Sequence, residues 1–311
     1  MLPGSVPHDQ QRPIRIPQRC DGWRLIDVLA EILPQTSRQE WEEIIDRERI
    51  MAGSLPVRRS RIVRAGEQFI HTVPGFIEPA VSAAIRIVWE DQSIVVVDKP
   101  APLPVHPSGR FNHNTLLGIL NRLYAPQVLR AAHRLDANTT GLLILGRRRT
   151  VTRALQQQFE AQQVVKQYRL RCWGHPAEDS FVIDAPIAER PGEGRVRLIH
   201  AEGLPATTEL RVLERLSDGT AILTAQPRSG RTNQIRVHLW SMGHPIVGDP
   251  LYLPGGAIGS NRTLAIDEPP LQLRAVRLEL LHPDSAAKIV FEAEHEPAHA
   301  DAQCSSTGVR E

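Results

Sequence analysis

Four apolar residues in a row, Leu142-Leu143-Ile144-Leu145, follow directly on a polar segment, His133-Arg134-Leu135-Asp136-Ala137-Asn138-Thr139-Thr140-Gly141. A short apolar run bounded by turn formers reads as a buried strand. The hydroxyl, amide and glycine residues ahead of it favour a turn. This junction puts a carboxylate, Asp136, on a loop held against rigid scaffold, with Arg134 two residues away. A neighbouring guanidinium favours the charged form of a carboxylate, which suits a nucleophile or an electrostatic stabiliser. The competing reading is a local ion pair that only fixes the turn.

The rest of the composition bounds what such a junction can belong to. A chain of 311 residues points to two domains, or one large and one small. A hydrophobic content of 41% is enough for a real core. No run approaches the roughly 18 apolar residues of a membrane helix. The start, Met1-Leu2-Pro3-Gly4-Ser5, lacks the charged-then-apolar pattern of a signal peptide. Cys20, Cys172 and Cys304 are odd in number and far apart, as expected in a reducing compartment without a disulfide framework. These features predict a soluble, cytoplasmic protein, and nothing demands a partner subunit. Two spacings could suggest a metal, Cys172-x-x-His175 and His295-x-x-x-His299. Neither reaches the three or four ligands of a zinc site, so no metal is expected.

Net charge is only +2, but it is unevenly placed. Between Arg130 and Arg171 nine Lys or Arg face two acidic residues, a local charge of +7 around the Asp136 segment. Arg147, Arg148 and Arg149 are consecutive. A polyanion such as RNA would be drawn there; the plainer reading is a solvated arginine face.

In chain order, residues 1–21 are rich in Pro, Gln and Arg and read as a flexible arm. A compact module follows over residues 22–72. Leu25, Val28, Leu29 and Ile32 recur at helical spacing up to Pro34. Ser37-Arg38-Gln39-Glu40 matches a capping box ahead of a second helix with Trp41, Ile44 and Ile45 on one face. That helix, residues 38–49, carries three Arg against five acidic residues. Arg58, Arg59, Arg61 and Arg64 are therefore its better RNA contacts. Residues 73–84 read as a linker, residues 85–295 as a large domain, and residues 296–311, polar and small, as a disordered tail.

Within the large domain, residues 85–89 and 94–97 read as a hairpin and residues 115–123 as a helix. A basic helix follows from about Thr150, with Val151, Leu155 and Phe159 along one side. A strand from about Val164 puts Tyr168, Leu170 and Cys172 on one face. Later, Thr232 caps a helix with Ile235, Leu239 and Met242 at helical spacing, ended by Gly243 and Pro245. Its start carries Arg228, Arg231 and Arg236 beside free N–H groups that favour an anion. Arg236 could be held against a carboxylate such as Asp136.

His133-Arg134-Leu135-Asp136-x-x-Thr139-Thr140-Gly141, Lys166-Gln167-Tyr168, Gly230-Arg231-Thr232-x-Gln234-Ile235-Arg236-Val237-His238 and Gly248-Asp249-Pro250-Leu251-Tyr252 occur in that order. Together they resemble the RluA-type RNA pseudouridine synthases. Asp98-Lys99-Pro100, Leu273-Arg274-Ala275 and His282-Pro283 match that family's strand ends, and the likeness spans about residues 85–285. The module over residues 22–72 resembles the small RNA-binding domain of a small-subunit ribosomal protein, a fusion seen in that family's large-subunit rRNA enzymes. Thr140 stands where serine is usual, Asn233 where histidine is usual and Arg274 where histidine is common.

The resemblance implies an α+β catalytic domain with a mixed, largely antiparallel sheet and a central cleft, preceded by a small α+β RNA-binding-like module. It implies isomerisation of uridine to pseudouridine in RNA, large-subunit rRNA ahead of tRNA, without cofactor or metal. Asp136 would be the nucleophile. Arg134 would fill the gap left when the target base leaves the stack, Tyr168 would pack on the flipped uracil and is a candidate to move a proton, and Arg236 would pair with Asp136. His133, Arg147, Arg148, Arg149, Arg228 and Arg231 complete the expected RNA contacts. Two other classes compete. A non-catalytic RNA-binding or assembly protein would not need Asp136, Tyr168 and Arg236 together. A hydrolase would need a second carboxylic acid, which neither arginine-bearing motif supplies.

Overall fold

The computed structural model describes residues 2–189 and 196–293. The described residues divide into two compact units, residues 3–79 with 108–113, and residues 80–107 with 114–189 and 196–293. The tail read as disordered lies outside the described residues. No helix among the described residues is long and apolar enough to cross a membrane.

The first unit contains β1 (His8–Arg15), α1 (Leu25–Ile32), α2 (Arg38–Asp46), β2 (Ile50–Ala52), β3 (Leu55–Pro56) and β4 (Gln68–Phe76). Its antiparallel sheet runs β1-β4-β2-β3. Leu25, Val28 and Leu29 of α1 and Trp41 and Ile45 of α2 bury their sides with Ile50 and Phe69 of the sheet. The capping box forms: Glu40 N–H donates to Ser37 Oγ at 3.3 Å, and Ser37 N–H donates to Glu40 Oε2 at 2.7 Å. Two expectations are corrected here. The arm is a strand over His8–Arg15, and the start of the linker, through Phe76, is its antiparallel partner. Prolines and glutamines gave β1 little apolar alternation, but Gln10 and Ile14 both turn inward, and Gln10 Nε2 donates to the Arg110 carbonyl at 2.9 Å. Pairing satisfies its backbone where side-chain pattern gave no signal.

The second unit is built on β5 (Arg86–Glu90), β6 (Ile94–Lys99), α3 (Leu116–Leu123), β7 (Arg130–Ala131), β8 (Thr140–Gly146), α4 (Arg149–Glu160) and β9 (Val165–Trp173). There follow β10 (Ser180–Asp184), β11 (Ile187–Glu189), β12 (Arg197–Ile199), β13 (Thr207–Arg215), β14 (Thr220–Pro227), α5 (Gln234–Ser241), β15 (Leu273–Leu281) and β16 (Lys288–Glu292). The main sheet runs β10-β13-β14-β9-β15-β8-β6-β5, with β16 beside β15 and β7 beside β8. Every pair is antiparallel except β15 with β8, so the sheet is mixed and largely antiparallel.

The apolar run after the turn is the middle of this sheet. Leu142, Leu143, Ile144 and Leu145 are fully buried, and Leu142 and Ile144 pack with Val151 and Leu155 of α4. Leu170 and Cys172 of β9 pack with Ile235 and Leu239 of α5, and Tyr168 lies against that cluster. Gly141 is where β8 meets β15: it has φ +107°, and a Cβ there would sit 2.1 Å from the Ala275 carbonyl oxygen. Only glycine fits both the conformation and the close approach.

Candidate active site

The loop that precedes β8 is anchored from several directions. Lys99, fully buried at the end of β6, donates from Nζ to the carbonyls of Pro100, Leu103 and Ala137 at 2.9, 3.0 and 3.2 Å. Three acceptors are the number one ammonium can serve. Burial pushes the Lys99 pKa down to about 7, against the pull of the Asp136 and Asp98 charges. Asn138 ties the loop's other side, donating to the Arg262 carbonyl at 3.0 Å and accepting from Leu264 N–H at 3.0 Å. Thr139 N–H donates to the Asp136 carbonyl at 3.1 Å and closes the turn. The Asp136 backbone is thus fixed while its carboxylate stays 28% exposed.

Arg236, on the first turn of α5, reaches that carboxylate: Nη1 donates to Asp136 Oδ2 at 3.2 Å. Its principal partner is another acid. Nε and Nη2 donate to the two carboxylate oxygens of fully buried Asp249 at 2.7 and 2.8 Å, a bidentate pair. Asn233 Oδ1 accepts from Nη1 at 2.9 Å, and the guanidinium lies 5.4 Å from the Tyr252 ring centroid. Asp249 in turn accepts from the Leu251 and Tyr252 N–H groups at 2.8 and 3.1 Å. Burial opposes the charge on Arg236, but the hydrogen bonds and charge of Asp249, with the charge of Asp136, outweigh it and raise its pKa.

α5 begins one residue later than the sequence suggests. Asn233, not Thr232, is the N-cap, and it sits in the left-handed region at φ 57°. Asparagine tolerates that region better than most residues, and the conformation turns its amide oxygen onto Arg236. Helix periodicity located the element, while the capping rule favoured the hydroxyl.

A cavity of about 590 Å³ opens over this group, within the range of small-ligand sites. Asp136, Tyr168 and Arg236 all line it, as do His133, Arg134 and Arg231. Burial and the Asp136 charge push the Tyr168 phenol up, so it stays protonated. Arg134 is exposed, and among the described residues no ion pair joins it to Asp136, which removes the local-ion-pair reading. His133 is not a cation. Its Nε2 accepts from Ile144 N–H at 3.2 Å, its ring stacks on Phe159 at 4.4 Å, and burial and the Lys166 charge lower its pKa to about 3.

The remaining expected RNA contacts are not in the cavity lining. Arg147 donates to Gln127 Oε1 at 2.5 Å and Glu90 Oε2 at 2.6 Å, and Arg148 to Asp284 Oδ2 at 2.9 Å. Arg228 pairs with Glu209 at 2.7 Å. Arg149, exposed, opens α4. Composition counted these charges without the acids that reach them from distant segments.

Sequence reasoning missed Asp249, Asn233 and Lys166 as parts of the site. Lys166 lines the cavity, donates to the Ser229 carbonyl at 2.9 Å, and is lowered by burial to about 8. Asp249 lay in a quoted motif, but nothing in the spacing paired it with Arg236. Arg274, one of the departures, has a local account: its Nη2 donates to Asp98 Oδ2 at 2.7 Å, a carboxylate also held by Arg86 at 2.6 Å.

A half-buried carboxylate held by a buried arginine, with a protonated phenol beside it in a basic cavity, defines an enzyme pocket for an anionic substrate. Residues 93–241 match the family model for RNA pseudouridylate synthase. The chain is 33% identical over 300 residues, 93% of its length and 86% of the relative's, to ribosomal large subunit pseudouridine synthase D of Nitrosomonas europaea. It is 35% identical over 207 residues to the dual-specificity RNA pseudouridine synthase RluA of Salmonella typhi, covering 66% of this chain and 90% of that one. Among solved structures, human RNA pseudouridylate synthase domain containing 1 superposes with a TM-score of 0.56 at 25% identity, covering 70% of this chain and 86% of the other. The chain belongs to the RluA-type RNA pseudouridine synthases. It is an isomerase that converts uridine in RNA to pseudouridine.

Proposed function

We propose that this enzyme modifies large-subunit ribosomal RNA and that Asp136 is its nucleophile. The observation that carries the reading is the Asp136 carboxylate in the cavity, its loop anchored by Lys99 and Asn138 and its oxygen 3.2 Å from Arg236. The reaction breaks the bond from the sugar carbon to N1 of uracil, turns the ring and forms a bond to C5. C5 gives up a proton and N1 gains one, so atoms and electrons balance without a co-reactant. The target base must leave the stack and be held away from water. Asp136 attacks the sugar or the base, or removes a sugar proton. Tyr168, protonated and beside it, packs on the uracil and is placed to donate rather than accept a proton. Arg236 orients Asp136, and exposed Arg134 enters the gap in the RNA.

Ribosomal RNA is favoured over tRNA because the alignment to the Nitrosomonas europaea large-subunit enzyme extends over 93% of the chain, and so takes in most of the first unit. In that unit Arg58 and Arg64 are exposed, whereas Arg59 is held by Glu42 and Asp46. This unit acts as an RNA-binding module. Cys20 and Cys172, both free and buried, fit a reducing cytoplasm. The protein works there as a monomer.

The test is pseudouridine mapping of total RNA from cells with and without the gene, complemented by wild type or Asp136→Ala. Sites in large-subunit rRNA should vanish and return only with wild type, while purified Asp136→Ala still binds RNA. Sites restored by both proteins would remove Asp136 from the chemistry. Vanishing sites in tRNA would move the substrate, and no change at all would favour a binding or assembly role.

A further inference from the structure

Away from the cavity, the first unit brings together three side chains that the sequence keeps far apart. His8 opens β1, Glu78 follows β4, and His113 lies in the 108–113 segment that belongs to this unit. Their ligand atoms all lie within 4.8 Å of one another. Glu78 is the centre, with a side chain of 0% exposure. Its Oε1 accepts from His113 N–H at 2.8 Å, its own N–H donates to the Gly4 carbonyl at 2.9 Å, and a Cβ on Gly4 would come within 2.7 Å of its carboxyl carbon.

The state of His8 turns this cluster into a site. Its Nδ1 lies 3.0 Å from the Val6 carbonyl, which can only accept, so Nδ1 carries a proton. In the neutral ring Nε2 is then a bare lone pair. That atom is buried, lacks a hydrogen bond, and faces Glu78 Oε1 at 3.1 Å. A lone pair against a carboxylate is repulsive unless a positive charge lies between them or on the ring. A ring N–H held by a backbone carbonyl, leaving the other nitrogen to the metal, is also the arrangement that orients a metal-binding histidine. The two rings meet edge-on with centroids 4.5 Å apart, and a nitrogen of each lies within 4.8 Å of the other and of a Glu78 oxygen.

We propose that His8, Glu78 and His113 bind a divalent transition metal, zinc being the ion that best suits two imidazoles and a carboxylate. Neither metal spacing in the sequence reaches this set: Cys172 is a buried core residue, His175 lies against the Leu216 carbonyl at 2.9 Å, and the His295–His299 pair lies outside the described residues. The ion takes His8 Nε2, a Glu78 oxygen and a His113 nitrogen as ligands and ties together the chain's start, the segment after β4 and residues 108–113. Binding only the folded form, it stabilises that unit by mass action. Two of the three residues are partly exposed, which leaves water access to a fourth position.

The experiment uses the full chain, stripped with chelator and titrated with zinc chloride by calorimetry, with thermal unfolding followed in parallel and cobalt(II) as a visible-absorbing probe. Wild type should take up one equivalent, unfold at a higher temperature with zinc, and give the cobalt absorption of a nitrogen and oxygen site. His113→Gln, at a partly exposed position that should not disturb folding, should lose stoichiometric binding and the thermal shift, and His8→Gln should do the same. Absence of stoichiometric uptake by wild type would overturn the proposal, leaving His8 and Glu78 as a simple side-chain pair. Uptake unchanged in both variants would overturn it as well, by placing the metal elsewhere.

Discussion

Arg236 shows how one side chain can serve stability and chemistry together. It gives Asp249 a bidentate pair and Asp136 a single longer bond, so the buried partner holds the guanidinium, which in the role proposed above orients the half-exposed one. Removing one member of a buried pair leaves an uncompensated charge and costs about 3–5 kcal/mol. Arg236→Ala and Asp249→Ala should each lose stability on that order in urea unfolding, and Arg236→Met combined with Asp249→Leu should recover most of it while remaining inactive. Equal losses in the double variant and the sum of the singles would mean that the pair is not coupled. His133 supplies a pH dependence. Its folded pKa of about 3 lies below its ordinary value of 6.5, so between those values the unfolded chain binds the extra proton. Stability therefore falls as pH drops through that window, by up to about 1.4 kcal/mol per pH unit. Buried His71, lowered to about 4 by burial and by Arg12 and Arg49, adds in the same direction. His133→Gln should flatten part of that acid slope; an unchanged slope would mean that His133 is not neutral in the fold.

At the level of elements, the site depends on where β8 begins. The loop before it must leave Asp136 in the cavity, and the strand must at once enter the parallel pairing with β15 at Arg274 and Ala275. Gly141 is the residue at that transition. Gly141→Ala puts a methyl 2.1 Å from a backbone carbonyl and holds a side chain at φ +107°. Strain of both kinds should destabilise the protein by at least about 2 kcal/mol and displace Asp136, measured as a lower unfolding midpoint together with a fall in kcat. A variant with wild-type midpoint and turnover would show that β8 and β15 can part without cost. The alternation of β9 and the spacing of α4 and α5 were legible because they bury one side against the sheet. The exact start of α5 was not, because the Asn233 side chain bonds to Arg236, which is itself held by Asp249 from another segment.

For the molecule as a whole, the positive charge that attracts RNA is smaller than composition suggests. Arg147, Arg148 and Arg228 are held by Glu90, Asp284 and Glu209. Arg134 and Arg231 remain at the cavity, the Arg231 side chain donating from Nε to the Pro205 carbonyl at 3.1 Å. Each phosphate contact contributes about 0.7–0.9 to the slope of log affinity against log salt. Arg134→Ala with Arg231→Ala should reduce that slope by about 1.5, whereas Arg147→Ala with Arg148→Ala should leave it nearly unchanged. The reverse pattern would place the phosphate path along α4.

The sequence by itself determined the buried strand at Leu142–Leu145, the turn that carries Asp136, the helices with one apolar side and the family to which these motifs belong. Those features are local: a few adjacent residues suffice to set a period, a cap or a turn. The structure decided what needs partners distant in the chain. It paired β1 with β4, gave Arg236 to Asp249 before Asp136, neutralised Arg147 and Arg148, and joined His8, Glu78 and His113. Spacing along a chain carries no record of which segments the sheet will bring side by side, and a charge or a lone pair acquires its role only from the groups that fold against it.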